Sequence, residues 1–346
     1  MGVFRLRNGV IRFSPAPGIR SWAAVVGRKE REGPLGWCFS RVQNVDSYSS
    51  GSFEAEERNL IQTAFADCIK DQERPDLVFG GDLLNQCVST AFAMREQEIP
   101  YIGLYGACST MAESLALAAL SVASGAAGQA AAVTASHFCT AERQYRLPLN
   151  YGGQRPQTAQ WTVTGSGAVL MGSRQENEPF ADAAVFGRVV DYGVRDACNM
   201  GAAMAPAAAE TLLHFFSETE TSPDDYDRIF TGDLGRVGSQ LLQTLMEREG
   251  MPLGRGYRDC GVLIFDPETQ DTHAGGSGCG CSASVLCGLI LPALERGDWQ
   301  RVLLVATGAL LSPTSILQGE SIPGIAHLIS LRAGCPPPEV PNSRLP

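Results

Sequence analysis

The chain has 346 residues, 44% of them hydrophobic, and 27 Lys and Arg against 37 Asp and Glu give a formal net charge of −10 at pH 7. That balance excludes a nucleic-acid partner, which needs clustered Lys and Arg, and it opposes direct docking on an anionic membrane. The length suffices for two domain-sized halves around a large core.

Taken in chain order, the first segment sets Arg5, Arg7 and Arg12 among Val, Phe and Ile, with no continuous apolar core, so no signal peptide is expected. Residues 76–83 read as an acidic turn, a short apolar strand and a Gly-Asp-Leu step into a helix. The apolar run 101–105 then leads through Gly106-Ala107-Cys108-Ser109-Thr110 into a long Ala/Leu helix. Residues 114–137 lack charged side chains, yet Gly125 and Gly128 interrupt them, and a buried helix followed by a buried strand is expected rather than a membrane span. Residues 172–179 are polar and turn-forming. Residues 227–234 then repeat the pattern of 76–83, and Gly278-Cys279-Gly280-Cys281-Ser282 leads through a second apolar helix to Gly297 and a strand at 302–308. Aligning Gly125 with Gly297 also aligns Val133 with Val305.

The chain is thus predicted to be an α/β protein made of two copies of one unit. These are an N-terminal half at 1–175 carrying Cys108 and a C-terminal half at 176–333, stacked as a five-layer α/β/α/β/α sandwich with Ala-rich helices at the centre. Residues 334–346, with Pro336, Pro337, Pro338 and Pro341, are expected to be a flexible tail. Eleven cysteines follow no framework or zinc-finger spacing, so reduced, mostly buried thiols and no structural metal are expected.

A cysteine at a strand-to-helix turn meets free helical N–H groups and the positive end of the macrodipole, which stabilise a thiolate. Cys108 has three readings: a ligand-pocket residue, a small core residue at a crowded turn, or a nucleophile.

The duplicated α/β half, with Cys108 opening the first buried helix, resembles the thiolase superfamily and its ketoacyl synthase branch. Within it the chain resembles most the sporulation family of stage V AD proteins, part of the dipicolinate transport system of endospore-forming bacteria. The segments that carry this resemblance are Glu32-Gly33-Pro34-Leu35-Gly36, Gly81-Asp82-Leu83-Leu84-Asn85-Gln86, Gly106-Ala107-Cys108-Ser109-Thr110, Thr140-Ala141-Glu142-Arg143-Gln144 and Tyr151-Gly152-Gly153-Gln154. In the second half they are the run 200–209, Ala274-Gly275-Gly276-Ser277-Gly278-Cys279, the run 306–314 and Ser321-Ile322-Pro323. His137 is followed by Phe138-Cys139, where the family pattern has Asn-Ala.

The resemblance implies a comparison with the condensing enzymes, which pair the cysteine with an imidazole and a second His or Asn. Gly232 or Asp233 stands where the imidazole is expected and Cys279 near the other position, with His273 the only nearby imidazole. The implied function is therefore a soluble, non-catalytic component that binds dipicolinic acid or calcium dipicolinate for uptake into the forespore during sporulation. The alternative is an acyltransferase or ketoacyl synthase using Cys108 on a thioester. The ligand site is expected to comprise Cys108 (as inactive nucleophile equivalent), His137, Arg143, Met204, Asp233, Gly276 and Cys279, with Arg146 and Arg155 completing a cationic rim and Met204 covering the ring. Asp82 and Asp233 are pseudo-equivalent and read either as helix N-caps or as oxygen ligands to calcium. No cofactor is expected beyond calcium carried in with the ligand. Implied partners are the membrane subunits of the stage V sporulation protein A complex and a second copy of the chain, with the protein held peripherally at the inner spore membrane.

Overall fold

The structure is a computed structural model and describes residues 2–7, 9–43, 51–145 and 154–334. Arg146, Tyr151-Gly152-Gly153 and all of the C-terminal tail after Gly334 lie outside the described residues.

Ten strands form its frame. In the first half these are β1 (Pro17–Val26), β2 (Leu77–Gly81), β3 (Tyr101–Gly103), β4 (Gln129–Ser136) and β5 (Gly165–Ser173). The second half supplies β6 (Phe180–Val185), β7 (Arg228–Thr231), β8 (Tyr257–Asp259), β9 (Arg301–Ala309) and β10 (Gly324–Arg332). The spatial order is β1-β5-β4-β2-β3 in one half and β6-β10-β9-β7-β8 in the other. In each the first two pairings are antiparallel and the last two parallel, so the duplication read from two short motifs extends to order and polarity of all five strands. The sheets meet side by side through Phe180 of β6 and Gly18 of β1.

Alternating residues of each strand face opposite layers. Ala131 and Val133 pack with Leu60, Ile61 and Phe65 of α1 (Phe53–Ile69) on the outer face of the first sheet, beside α2 (Val88–Arg95). Leu303 and Val305 pack with α5 (Met200–Thr219) and α6 (Gly235–Arg248) on the outer face of the second. The inner faces, with Ala130 and Ala132 on one side and Val302 and Leu304 on the other, enclose α3 (Thr110–Ser124) and α7 (Cys279–Val285). The central helices pack across the halves: α3 contacts β4 of its own sheet and β10 of the other, and α7 packs on β4 and β5 of the opposite half. This is the expected five-layer sandwich. Segment 107–124 is long and apolar enough to cross a membrane, but it packs at the centre of these layers.

Close approach at the centre explains the small residues. A Cβ on Gly167 of β5 would lie 2.6 Å from the Ala283 carbonyl oxygen of α7, and one on Gly280 would lie 2.4 Å from that of Gly165. No side chain fits there without moving the backbone.

Candidate ligand cleft at Cys108

Cys108 lies in a tight 3-10 turn, Ala107–Ser109, that joins β3 to α3. Ala107 takes φ of +52°, a left-handed conformation costing an L-residue about 1–2 kcal/mol. The turn is wedged against β9, where a Cβ on Gly308 would sit 2.6 Å from the Gly106 carbonyl oxygen. The fold thus pushes Cys108 into a small apolar recess with Leu83, Ala141 and Cys279, and Tyr145 closes its edge.

The thiol faces the carboxylate of Asp233, which is fully buried after β7. Asp233 accepts hydrogen bonds from Gly278 N at 2.8 Å and Thr307 Oγ1 at 2.9 Å. Burial pushes its carboxyl up to about 7, although these bonds pull the other way. Burial likewise drives the Cys108 thiol well above its usual value, and the Asp233 charge drives it further. Cys279 is held with its thiol donating to the Ala135 carbonyl at 2.9 Å, and its pKa too is raised by burial. The turn and dipole argument for a thiolate at Cys108 is therefore overridden: desolvation and an adjacent acid keep the thiol protonated.

Outside the recess, which is about 40 Å³, a cleft of about 500 Å³ opens. Asn85, Tyr105, Gln144 and Tyr145 form one wall, and residues 309–314 at the end of β9 form the other. The Tyr105 and Tyr145 hydroxyls are 2.9 Å apart, and Gln144 Nε2 donates to the Leu83 carbonyl at 2.9 Å, which orders this wall. Among the described residues no charged side chain lines the cleft or the recess.

Three expected site residues thus meet here: Cys108, Asp233 and Cys279. The others do not. Arg143, on α4 (Phe138–Tyr145), points away and pairs with Glu54. Arg155 pairs with Asp271 at 3.4 Å and lies over Trp161, so the expected cationic rim is absent among the described residues. His137 is buried behind the cleft, its ring 5.6 Å from that of Phe53 and its Nδ1 accepting from Cys139 N. Met204 is fully buried against the second sheet; Met200, one helical turn earlier, lines the recess instead. Gly276 is packed against Ile264 and Val163 and leaves the lining to its neighbour Ser277. His273 is tied to the Pro156 carbonyl and Asp271, away from Cys108. The sequence reading missed Tyr105 and Tyr145, although aromatic side chains beside the Cys108 turn and at the end of α4 were the available signal.

The two pseudo-equivalent acids have diverged. Asp82 acts locally, accepting from Leu84 N, Thr90 N and Thr90 Oγ1 at the start of α2. Asp233 reaches across the site, and its local bonding is taken over by Asp259. Among the described residues no group of three or more His, Cys, Asp or Glu is arranged to hold a metal ion.

A pH dependence follows. Asp233, raised to about 7, keeps its proton in the folded state after the unfolded chain has released it near 3.8. The stability this protonation gives is complete below the unfolded value and is lost as pH rises through about 7. Urea unfolding should show the wild type losing more stability than Asp233→Asn between those limits; identical pH profiles would refute the assignment.

Solved structures with this architecture include 3-oxoacyl-(acyl carrier protein) synthase III of Pseudomonas aeruginosa PAO1, at a TM-score of 0.58 and 14% identity over 94% of this chain and 100% of the other. Cerulenin-bound OleA of Xanthomonas campestri matches at 0.60 and 12% identity over 93% and 97%. Both share the fold at identities too low to carry function. In sequence, stage V sporulation protein AD of Bacillus subtilis (strain 168) is 44% identical over 321 residues, covering 91% of this chain and 94% of that protein. The family pattern of stage V sporulation protein AD matches residues 7–332. By that span and that identity, the chain belongs to the stage V sporulation protein AD family.

Proposed function

We propose that this protein binds dipicolinate, as its calcium chelate, in the Cys108 cleft and delivers it to membrane transport subunits during sporulation, without acyl transfer. The observation that carries this reading is the cleft's combination of size, aromatic wall and, among its described lining residues, neutrality. A free dianion would find no counter-charge among the described lining residues, whereas the chelate is nearly neutral and avoids that cost. Tyr105 and Tyr145 offer aromatic surface to a flat ring, and Asn85, Gln144, Ser312 and Thr314 offer polar groups to its oxygens. The protonated Cys108, facing a carboxyl group instead of an imidazole, supports binding over turnover.

Calorimetric titration tests this. Saturable binding is expected with calcium present and at least about tenfold weaker without it, and Ala309→Phe, which fills the recess, should remove it. Absence of binding under both conditions, or a covalent acyl adduct on Cys108 after incubation with acyl-CoA, would overturn the proposal. Among the described residues edge strand β3 is unpaired on its outer side, with Ile102 and nearby Phe92 about half exposed, which supports a homodimer formed across that edge. The acidic surface supports a membrane position held by partner subunits rather than by lipid.

A further inference from the structure

Strand β9 has a different cavity at each end. Ala309 lines the Cys108 cleft, while Arg301, eight residues and about 26 Å away along the strand, lines a separate cavity of about 290 Å³. Three arginines converge there, Arg12, Arg301 and Arg332, with Asp182 and the hydroxyls of Ser14, Thr221, Tyr226 and Ser330.

The charges do not cancel. Asp182 is engaged by Arg332. Arg12 and Arg301 form no ion pair among the described residues: Arg12 donates only to the Thr219 carbonyl, at 3.4 Å, and Arg301 lies over the Tyr226 ring with its Nη2 3.5 Å from that hydroxyl. The Arg301 Nε is buried and has no hydrogen-bond partner. Asp225 feels the Arg301 charge from the rim, but its carboxylate is bound by Ser222 N and Oγ. A buried guanidinium donor left unsatisfied is costly, and a carboxylate or phosphate oxygen is its natural acceptor.

The duplication supplies an internal control. The alignment that pairs Gly125 with Gly297 places Gln129 opposite Arg301, and the corresponding cavity of the first half is lined by Asp71, Glu73 and Asp76 beside Arg20, Arg74 and Arg174, so that its acids match its arginines. The fold therefore does not require a cationic excess at this end of the sheet; the second half carries one, with Asp182 the single acid among the lining residues of its cavity. From this we infer that the cavity around Arg12 and Arg301 is a second ligand site, separate from the Cys108 cleft, that takes a small anion through a carboxylate or phosphate group.

The test is titration of the full chain, at constant ionic strength, with inorganic phosphate and in parallel with malonate, using sodium chloride as the control for screening. Saturable binding of at least one probe is expected, weakened about tenfold or more by Arg12→Gln and by Arg301→Gln, and unchanged by Ala309→Phe. Which probe binds decides between a phosphate and a carboxylate ligand. Arg12 is exposed, so its substitution leaves the fold intact even if Arg301→Gln does not. Binding no stronger than chloride, binding undiminished in Arg12→Gln, or binding lost in Ala309→Phe would each overturn the inference. None of these outcomes depends on whether dipicolinate occupies the other cleft.

Discussion

Replacing Asp259 by alanine is expected to destabilise the protein by about 4 kcal/mol, since a buried donor left unsatisfied costs about 1–3 kcal/mol and several are orphaned together. The Asp259 carboxylate is fully buried and accepts from Thr231 Oγ1 at 2.7 Å, Leu234 N at 2.8 Å, and Gly235 N and Val262 N at 3.0 Å. It thereby ties the end of β7, the start of α6 and the short helix Cys260–Ile264 to one point. Burial pushes its carboxyl up to about 6, so the charged form present at neutral pH persists only because these donors surround it. Asp259→Asn retains an acceptor oxygen and should cost less than half as much. Urea denaturation at neutral pH measures both, and a loss below about 1 kcal/mol for the alanine variant would show that water replaces the carboxylate. Because Leu234 follows Asp233 directly, the alanine variant should also loosen the wall behind Cys108.

The second large effect concerns thiol reactivity. Iodoacetamide at pH 8 should modify exposed Cys198 rapidly and leave Cys108 much slower, since burial and the Asp233 charge raise the Cys108 thiol and so deplete its thiolate. Burial slows reagent access in the same direction. Asp233→Asn removes the adjacent charge but not the burial, so Cys108 should react faster than in the wild type and still slower than Cys198. Peptide-level mass spectrometry resolves the sites. Equal labelling of Cys108 and Cys198 in the native wild type would mean that the thiol ionises readily, and would return weight to acyl-transfer chemistry.

The architecture was legible because it is written in repeated local signals. The acidic turn, apolar strand and Gly-Asp-Leu step occur twice, and a motif that recurs with its helix and following strand in the same order implies the same strand order. The site was less legible because it depends on phase and on distant partners. Met200 and Met204 are equally apolar and one turn apart, and only the tilt of α5 decides that Met200 faces the recess. Arg143 sits in a family motif next to core residues, yet its helix turns it toward Glu54. Asp82 and Asp233 look alike in sequence, but their roles are set by whether Thr90, three residues into α2, or Gly278 and Thr307, more than forty residues away, supplies the donors. Asp259 itself carried only the weak signal of an acid ahead of a short helix.

The placement of α3 and α7 between the sheets also bears on how such a protein can arise and be divided. Each half, taken alone, would expose the inner face of its sheet and one side of a largely apolar helix, because that helix completes its burial on strands of the other half. The halves are tandem in the chain but not modules in the thermodynamic sense: each has an outer core, yet the central layer is completed only by both, and melting one uncovers the inner face of the other. A chain of this kind cannot be shortened to a single repeat without opening an apolar layer to water.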